Sequence, residues 1–142
     1  MKASTDIIKV LVIDDETSIR EGSERILKRM GCSVLGAANG EEGLAILARK
    51  KVHIVLLDLK MPGMDGMEVL GHIQADYPAI LVIVITGFAT VETAIEAMKQ
   101  GAYDFIPKPF EPDQLRIVIN RAKDKIQLQA EAEKLARDRR RT

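Results

Sequence analysis

The chain has no tryptophan, one cysteine and only 4% aromatic residues. A single cysteine excludes an internal disulfide framework. With no histidine near it in sequence, Cys32 reads as a small, half-buried hydrophobe rather than a nucleophile. Neither sign of charge prevails, since Lys plus Arg and Asp plus Glu number 21 each. The domain body therefore gives no electrostatic reason to expect direct nucleic-acid binding or a membrane surface as partner. No apolar run approaches the roughly 20 residues that span a bilayer, and the first residues lack a signal-peptide apolar core, so the expected location is cytoplasmic. His53 and His72 show no metal-ligand spacing. Neither G-x-x-x-x-G-K-[ST] nor G-x-G-x-x-G occurs, which speaks against a nucleotide-binding module.

What is present is aliphatic. Hydrophobic residues make up 46% of 142, a size that suits one α/β domain with an appended element. Four short apolar runs each end in a residue with phosphoryl chemistry. Val10-Leu11-Val12-Ile13 runs into Asp14-Asp15, Ile54-Val55-Leu56-Leu57 into Asp58, and Ile80-Leu81-Val82-Ile83-Val84-Ile85 into Thr86. Phe105-Ile106-Pro107 runs into Lys108-Pro109. Near-continuous Val/Ile/Leu runs are typical of strands covered on both faces, as in parallel sheets.

Between the runs, apolar residues recur at helical spacing. The first helix carries Ile19, Ile26, Leu27 and Met30 and stops at Gly31; the second opens at the Asn39-Gly40 turn and reaches about Lys50. The third covers about 66–75, and Thr90 is a candidate N-cap for a fourth that Gly101 ends. Pro112 opens the last. Expected strands are 9–13, 33–37, 53–58, 80–85 and 104–106. Repeated strand–helix alternation predicts a doubly wound, five-stranded parallel sheet. The least apolar strand, 33–37, belongs at an edge, which gives the flavodoxin-like order 2-1-3-4-5. Strands one and three then flank the switch point, where such sheets place their ligand crevice. Asp14, Asp15, Asp58, Thr86 and Lys108 would converge there.

Clustered carboxylates without histidine or cysteine ligands suit a hard cation, Mg²⁺ by default. With the metal neutralising phosphoryl charge, one carboxylate can act as nucleophile toward phosphorus. Lys108 offers a fixed positive charge and Thr86 a hydroxyl for the remaining phosphoryl oxygens. Taken singly, each residue has a plainer reading: Asp14 to Thr17 could cap the first helix, and a lysine between prolines is commonly solvated. The plain readings lose force because all these residues end strands in one complementary set.

The motifs Val-Ile-Asp14-Asp15-Glu16, Leu-Leu-Asp58-Leu-Lys-Met-Pro62-Gly-Met-Asp65-Gly66, Ile-Thr86-Gly87 and Lys108-Pro109-Phe110 resemble the receiver domain of two-component response regulators. The likeness covers about 9–120, and the stretch from Thr86 to Phe110 is similar to the enhancer-binding, nitrogen-regulation-type branch. The resemblance implies a phosphoacceptor signalling switch rather than an enzyme acting on other molecules. Asp58 would take a phosphoryl group from the phosphohistidine of a sensor histidine kinase. Asp15, Asp58 and the Lys60 backbone carbonyl would bind Mg²⁺ directly and Asp14 through water, while Thr86 and Lys108 would hold phosphoryl oxygens. The Lys108-Pro109 bond is expected to be cis, a form found essentially only before proline. Phe105 occupies the switch-aromatic position and would follow Thr86 inward, changing the surface of helix four, strand five and helix five. Tyr103 reads as a packing residue.

A haloacid-dehalogenase-type Mg²⁺ phosphatase is the main rival. That class wants Asp-x-Asp after the first strand and a cap insertion, and neither is visible. The expected organisation is a receiver over 1–122 and a helical connector over 123–142, leading to an effector absent from this chain. The connector is rich in Ala, Glu, Lys, Arg and Gln, with Leu128 and Leu135 its large apolar residues. A homodimer through helix four, strand five and helix five, or through the C-terminal helix, is the candidate assembly. Arg139-Arg140-Arg141 reads as a solvated helix end.

Overall fold

Alternate residues of a strand face opposite ways, and here both directions are apolar. The computed structural model of the chain describes residues 7–141; residues 1–6 and Thr142, at the ends of the expected domain and connector, lie outside the described residues. The order is β1 (Lys9–Ile13), α1 (Thr17–Arg29), β2 (Ser33–Ala37), α2 (Gly40–Leu47) and β3 (Ile54–Leu57). It continues with α3 (Gly66–Asp76), β4 (Leu81–Thr86), α4 (Val91–Lys99), β5 (Asp104–Pro107) and α5 (Pro112–Arg141). All strand pairings are parallel, and the sheet order is β2-β1-β3-β4-β5. The flavodoxin-like topology expected from the sequence is the one observed.

Two aliphatic layers hold this sheet. Leu11, Ile13, Val55, Leu57, Val82 and Val84 face α2, α3 and α4, where Leu47, Leu70, Ile73 and Ala97 meet them. Val10, Val12, Ile54, Leu56, Ile83 and Ile85 face α1 and α5, against Leu27, Leu115 and Ile119. Each such side chain contributes about 1.5–3 kcal/mol when fully buried. Cys32 lies in the second layer, and burial pushes its thiol up, away from nucleophilic use.

Helix ends follow the sequence cues. Asn39 caps α2 by accepting the Glu42 N–H at 2.8 Å. Thr90 and Thr93 form a reciprocal capping box at the start of α4. Gly31 and Gly101, at φ +85 and +101, supply the left-handed residues that end α1 and α4. Several limits differ from expectation; the third strand, for one, runs Ile54–Leu57 rather than 53–58. The second helix stops at Leu47 rather than near Lys50, because residues 48–50 are exposed and offer no large apolar side chain to bury. The fourth strand is shifted by one residue: the Ile80 N–H is taken by the Tyr77 carbonyl in a turn, while Thr86 pairs with Pro107.

Helix α5 is continuous past the sheet. Leu115, Val118, Ile119 and Ala122 are buried, Lys123 Nζ donates to the Met30 carbonyl at 3.2 Å, and Ile126 still packs on the second layer. Leu128 and Leu135 are exposed. Among the described residues no helix is long and apolar enough to cross a membrane.

Candidate functional site

Strand register assembles the site. Ile13 pairs with Leu57, so Asp14 and Asp58 leave adjacent strands at the same level. The backbone ladder continues one step further: the Asp58 N–H donates to the Ile13 carbonyl and the Asp14 N–H to the Ala37 carbonyl, both at 3.0 Å. On the other side the Lys108 N–H donates to the Thr86 carbonyl at 2.9 Å, and the Lys108–Pro109 peptide bond is cis. Parallel pairing thus delivers four residues, distant in sequence, to the C-terminal edge of the sheet.

The Lys108 ammonium is the hub. Its Nζ lies 2.9 Å from Asp14 Oδ2, 2.9 Å from Glu16 Oε1 and 3.2 Å from Asp58 Oδ2. Asp14 and Asp58 are buried, as is Thr86. Burial pushes the Asp14 carboxyl above its ordinary range, against the opposing pull of hydrogen bonds from Lys108 and from the Glu16 N–H. Burial alone would lower an ammonium, but bonds to Asp14 and Glu16 and the charges of Asp14 and Asp58 outweigh it and hold Lys108 above its usual range. Lys108 therefore remains a cation at any physiological pH.

The backbone frames these groups. Asp14 Oδ1 accepts the Glu16 N–H at 2.9 Å, so the plain capping reading of this residue is also realised, at the entry to α1. Arg20 grips the Asp14 carbonyl from the side at 2.6 Å. The Lys60 N–H donates to Asp58 Oδ1 and the Phe88 N–H to Thr86 Oγ1, each at 3.2 Å. Gly66 sits so close that a Cβ there would fall 2.4 Å from Leu59 Cα and 2.5 Å from the Asp58 carbonyl oxygen. Its N–H donates to the Leu59 carbonyl at 3.0 Å, pinning the start of α3 against the segment that carries Asp58.

Of the residues singled out in the sequence, Asp14, Asp58 and Lys108 are in direct contact or bridged by one ammonium, and Thr86 stands at the end of the neighbouring strand. Asp15 is exposed, outside the carboxylate cluster. Lys60 is exposed, with its backbone N–H on Asp58. Phe105 is half-buried and packs against the first core layer. Glu16 and Arg20 adjoin the site, and sequence reasoning missed both. Glu16 stood beside the aspartate pair in the motif but read only as a helix-capping residue, and Arg20 follows it by one helical turn.

The donor set suits a hard divalent cation. One carboxylate oxygen from each of Asp14, Glu16 and Asp58 lies within 4.8 Å of the others, all three are oxygen donors, and an ammonium already balances part of their charge. The crevice as a whole combines buried carboxylates, a fixed cation and a hydroxyl, groups suited to accepting a phosphoryl group.

A doubly wound sheet with this crevice defines a phosphoryl-accepting signalling domain. The match to the response regulator receiver domain covers residues 10–120, and the chain belongs to that family. It is 45% identical over 127 residues to an NtrX-like response regulator of Rickettsia bellii, covering 88% of this chain and 27% of the relative. It is 41% identical over 113 residues to the DNA-binding transcriptional regulator NtrC of Salmonella typhimurium, covering 80% and 24%. Among solved structures it superposes on NtrX of Brucella abortus in complex with ADP with a TM-score of 0.84 and 35% identity, covering 92% of this chain and 30% of that one. A CheY-like receiver from Methanospirillum hungatei gives 0.81 and 32%, covering 84% and 96%. The chain thus spans about a quarter of the length of the curated relatives, and their names agree with the nitrogen-regulation-type branch. It is a receiver domain, the phosphoacceptor switch of two-component signalling.

Proposed function

We propose that Asp58 is the phosphoacceptor and that its donor is the phosphohistidine of a sensor histidine kinase. The observation that carries this reading is the buried Asp58 carboxylate held 3.2 Å from the Lys108 ammonium at the sheet's C-terminal edge. As the oxygen–phosphorus bond to Asp58 forms, the phosphorus–nitrogen bond breaks and the imidazole departs. Lys108 and the Thr86 hydroxyl hold the phosphoryl oxygens. Asp15, Asp58 and the Lys60 carbonyl would hold Mg²⁺ directly and Asp14 through water, which asks Asp15 to turn in from its exposed position. The metal supplies charge neutralisation for the incoming phosphoryl group. In this reading the domain catalyses only its own phosphorylation and dephosphorylation, in the cytoplasm.

The output follows from two differently liganded states of one crevice. Thr86 turns toward the phosphoryl oxygens and Phe105 follows into the space it leaves. The face that responds is α4, β5 and α5, and Val91, Ile95 and Met98 already expose an apolar row on α4, spaced one and two turns apart. That face, or α5 itself, would form a homodimer. Residues 1–122 act as the receiver, and 123–142 as a connector to an effector.

The haloacid-dehalogenase alternative finds little support. The longest strand-to-helix connection among the described residues is 58–65, too short for a cap. The test is labelling by a small acyl phosphate. The wild type should be labelled in a Mg²⁺-dependent manner and Asp58→Asn should not. Comparable Mg²⁺-dependent labelling of Asp58→Asn would reject Asp58 as the primary acceptor.

A further inference from the structure

An ammonium has three N–H donors, and in this protein each has a carboxylate partner. Lys108 Nζ meets Asp14 and Glu16 at 2.9 Å and Asp58 at 3.2 Å. To hold a phosphoryl oxygen it must release one of them. The three partners are not equivalent. The Asp14 and Asp58 side chains are 3% and 6% exposed, whereas that of Glu16 is 56% exposed. Releasing a buried carboxylate leaves an unpaired charge away from water, which is costly. Releasing Glu16 returns to solvent a carboxylate that already faces it, so that side of the pair is the least costly to break.

We infer that Glu16 is a placeholder for the phosphoryl group: in the resting domain its carboxylate occupies the Lys108 donor that a phosphoryl oxygen takes on phosphorylation. This rests on the reading of Asp58 as acceptor and adds a residue to it. Glu16 acts through Lys108 and is therefore a positioning residue, not a catalytic one. It keeps the ammonium aimed at Asp58 while the site is empty of donor, and it competes with the incoming anion. Placed at the mouth of an already acidic crevice, it also repels a phosphodonor and attracts a divalent cation. One side chain thus has opposite effects on two ligands.

That opposition supplies the test. Glu16→Gln removes the charge and its claim on Lys108 without disturbing a buried group. At saturating Mg²⁺, labelling by a small acyl phosphate should run about two- to fivefold faster than in wild type, the range for loss of a partly exposed ion pair. Mg²⁺ affinity, measured by titration without donor, should weaken. Glu16→Asp keeps the charge but shortens the reach to Lys108; it should still label faster than wild type while retaining Mg²⁺ affinity. A merely structural role would move rate and metal affinity in the same direction. Unchanged or slower labelling of Glu16→Gln, beside a wild type that labels normally and an Asp58→Asn that does not, overturns the placeholder and leaves the acceptor reading intact. A wild type that takes no label overturns the acceptor reading, and the placeholder with it.

Discussion

The Lys60 ammonium lies over the Phe88 ring, its Nζ 4.2 Å from the centroid. The contact joins the loop after β3 to the loop after β4. The same two residues send their backbone N–H groups to Asp58 and Thr86, so the clasp ties together the segments that carry those two side chains.

A clasp at that place should limit the access of water to a phosphorylated Asp58. Cation–π pairs at exposed sites are worth about 0.5–1 kcal/mol. Lys60→Ala and Phe88→Ala are each expected to shorten the half-life of the acyl phosphate by about two- to fivefold. Decay of isolated phosphorylated protein measures it, and lifetimes equal to wild type would end the idea.

Gly66 tests how tightly the Asp58 segment is held. A Cβ there meets backbone rather than a flexible side chain, so the strand end cannot yield without moving Asp58. Gly66→Ala should cost about 1–3 kcal/mol, as overpacking does. It should also slow labelling, because the displaced atoms belong to Asp58 and Leu59. A urea unfolding midpoint equal to wild type would show that the approach is looser than the structure has it.

Ser23 on α1 offers the opposite sign. It is 1% exposed, its Oγ has no hydrogen-bond partner, and it borders a small space shared with Val12, Asp14 and Asp58. A buried hydroxyl left unsatisfied costs about 1–3 kcal/mol. Ser23→Ala should therefore raise stability by about 1 kcal/mol, read from the denaturation midpoint at constant slope. A lower midpoint would mean that the hydroxyl is bonded in solution.

Lys108→Met gives a pH signature. In wild type the Lys108 contribution is complete below the ordinary lysine value of 10.5 and is lost as pH climbs through its raised folded value. Asp14 has the same sign, in the acid range. Its carboxyl is raised above 3.8 in the folded state, so the native protein binds that proton more tightly than the unfolded chain, and stability grows as pH falls toward the unfolded value. Removing Lys108 takes away the bond and charge that restrain this rise. The variant should be much less stable than wild type near neutral pH, and the gap should narrow as pH falls into the acid range. Chemical denaturation of the metal-free proteins at several pH values measures it; a gap independent of pH would contradict the assigned cause.

The fold was legible because its information is local and repeated. Four aliphatic runs, each followed by a helical period and a glycine or capping residue, specify a parallel sheet with little ambiguity. The differences sit at element ends: Ile80 went to a turn, residues 48–50 to an exposed turn, and the third strand lost one residue at each end, where backbone competition decides and side-chain pattern is silent. The site was legible in part. Asp14, Asp58, Thr86 and Lys108 stood out because strand ends share an edge. Glu16 did not, because its partner Lys108 lies 92 positions away, and nothing in the sequence near Glu16 distinguishes a helix-entry glutamate from one paired to a buried ammonium.

The sequence by itself determined the alternation of elements, the identity of the acidic, hydroxyl and cationic groups, and their position at the ends of strands. Those follow from periodicity and from the fixed geometry of parallel pairing. Only the tertiary structure decided which carboxylates share the Lys108 ammonium, that Asp15 stays outside, and that Lys60 reaches Phe88. Side-chain direction at a crevice is set by competition for a few donors among groups from different strands, and such competition exists only once the chain has folded.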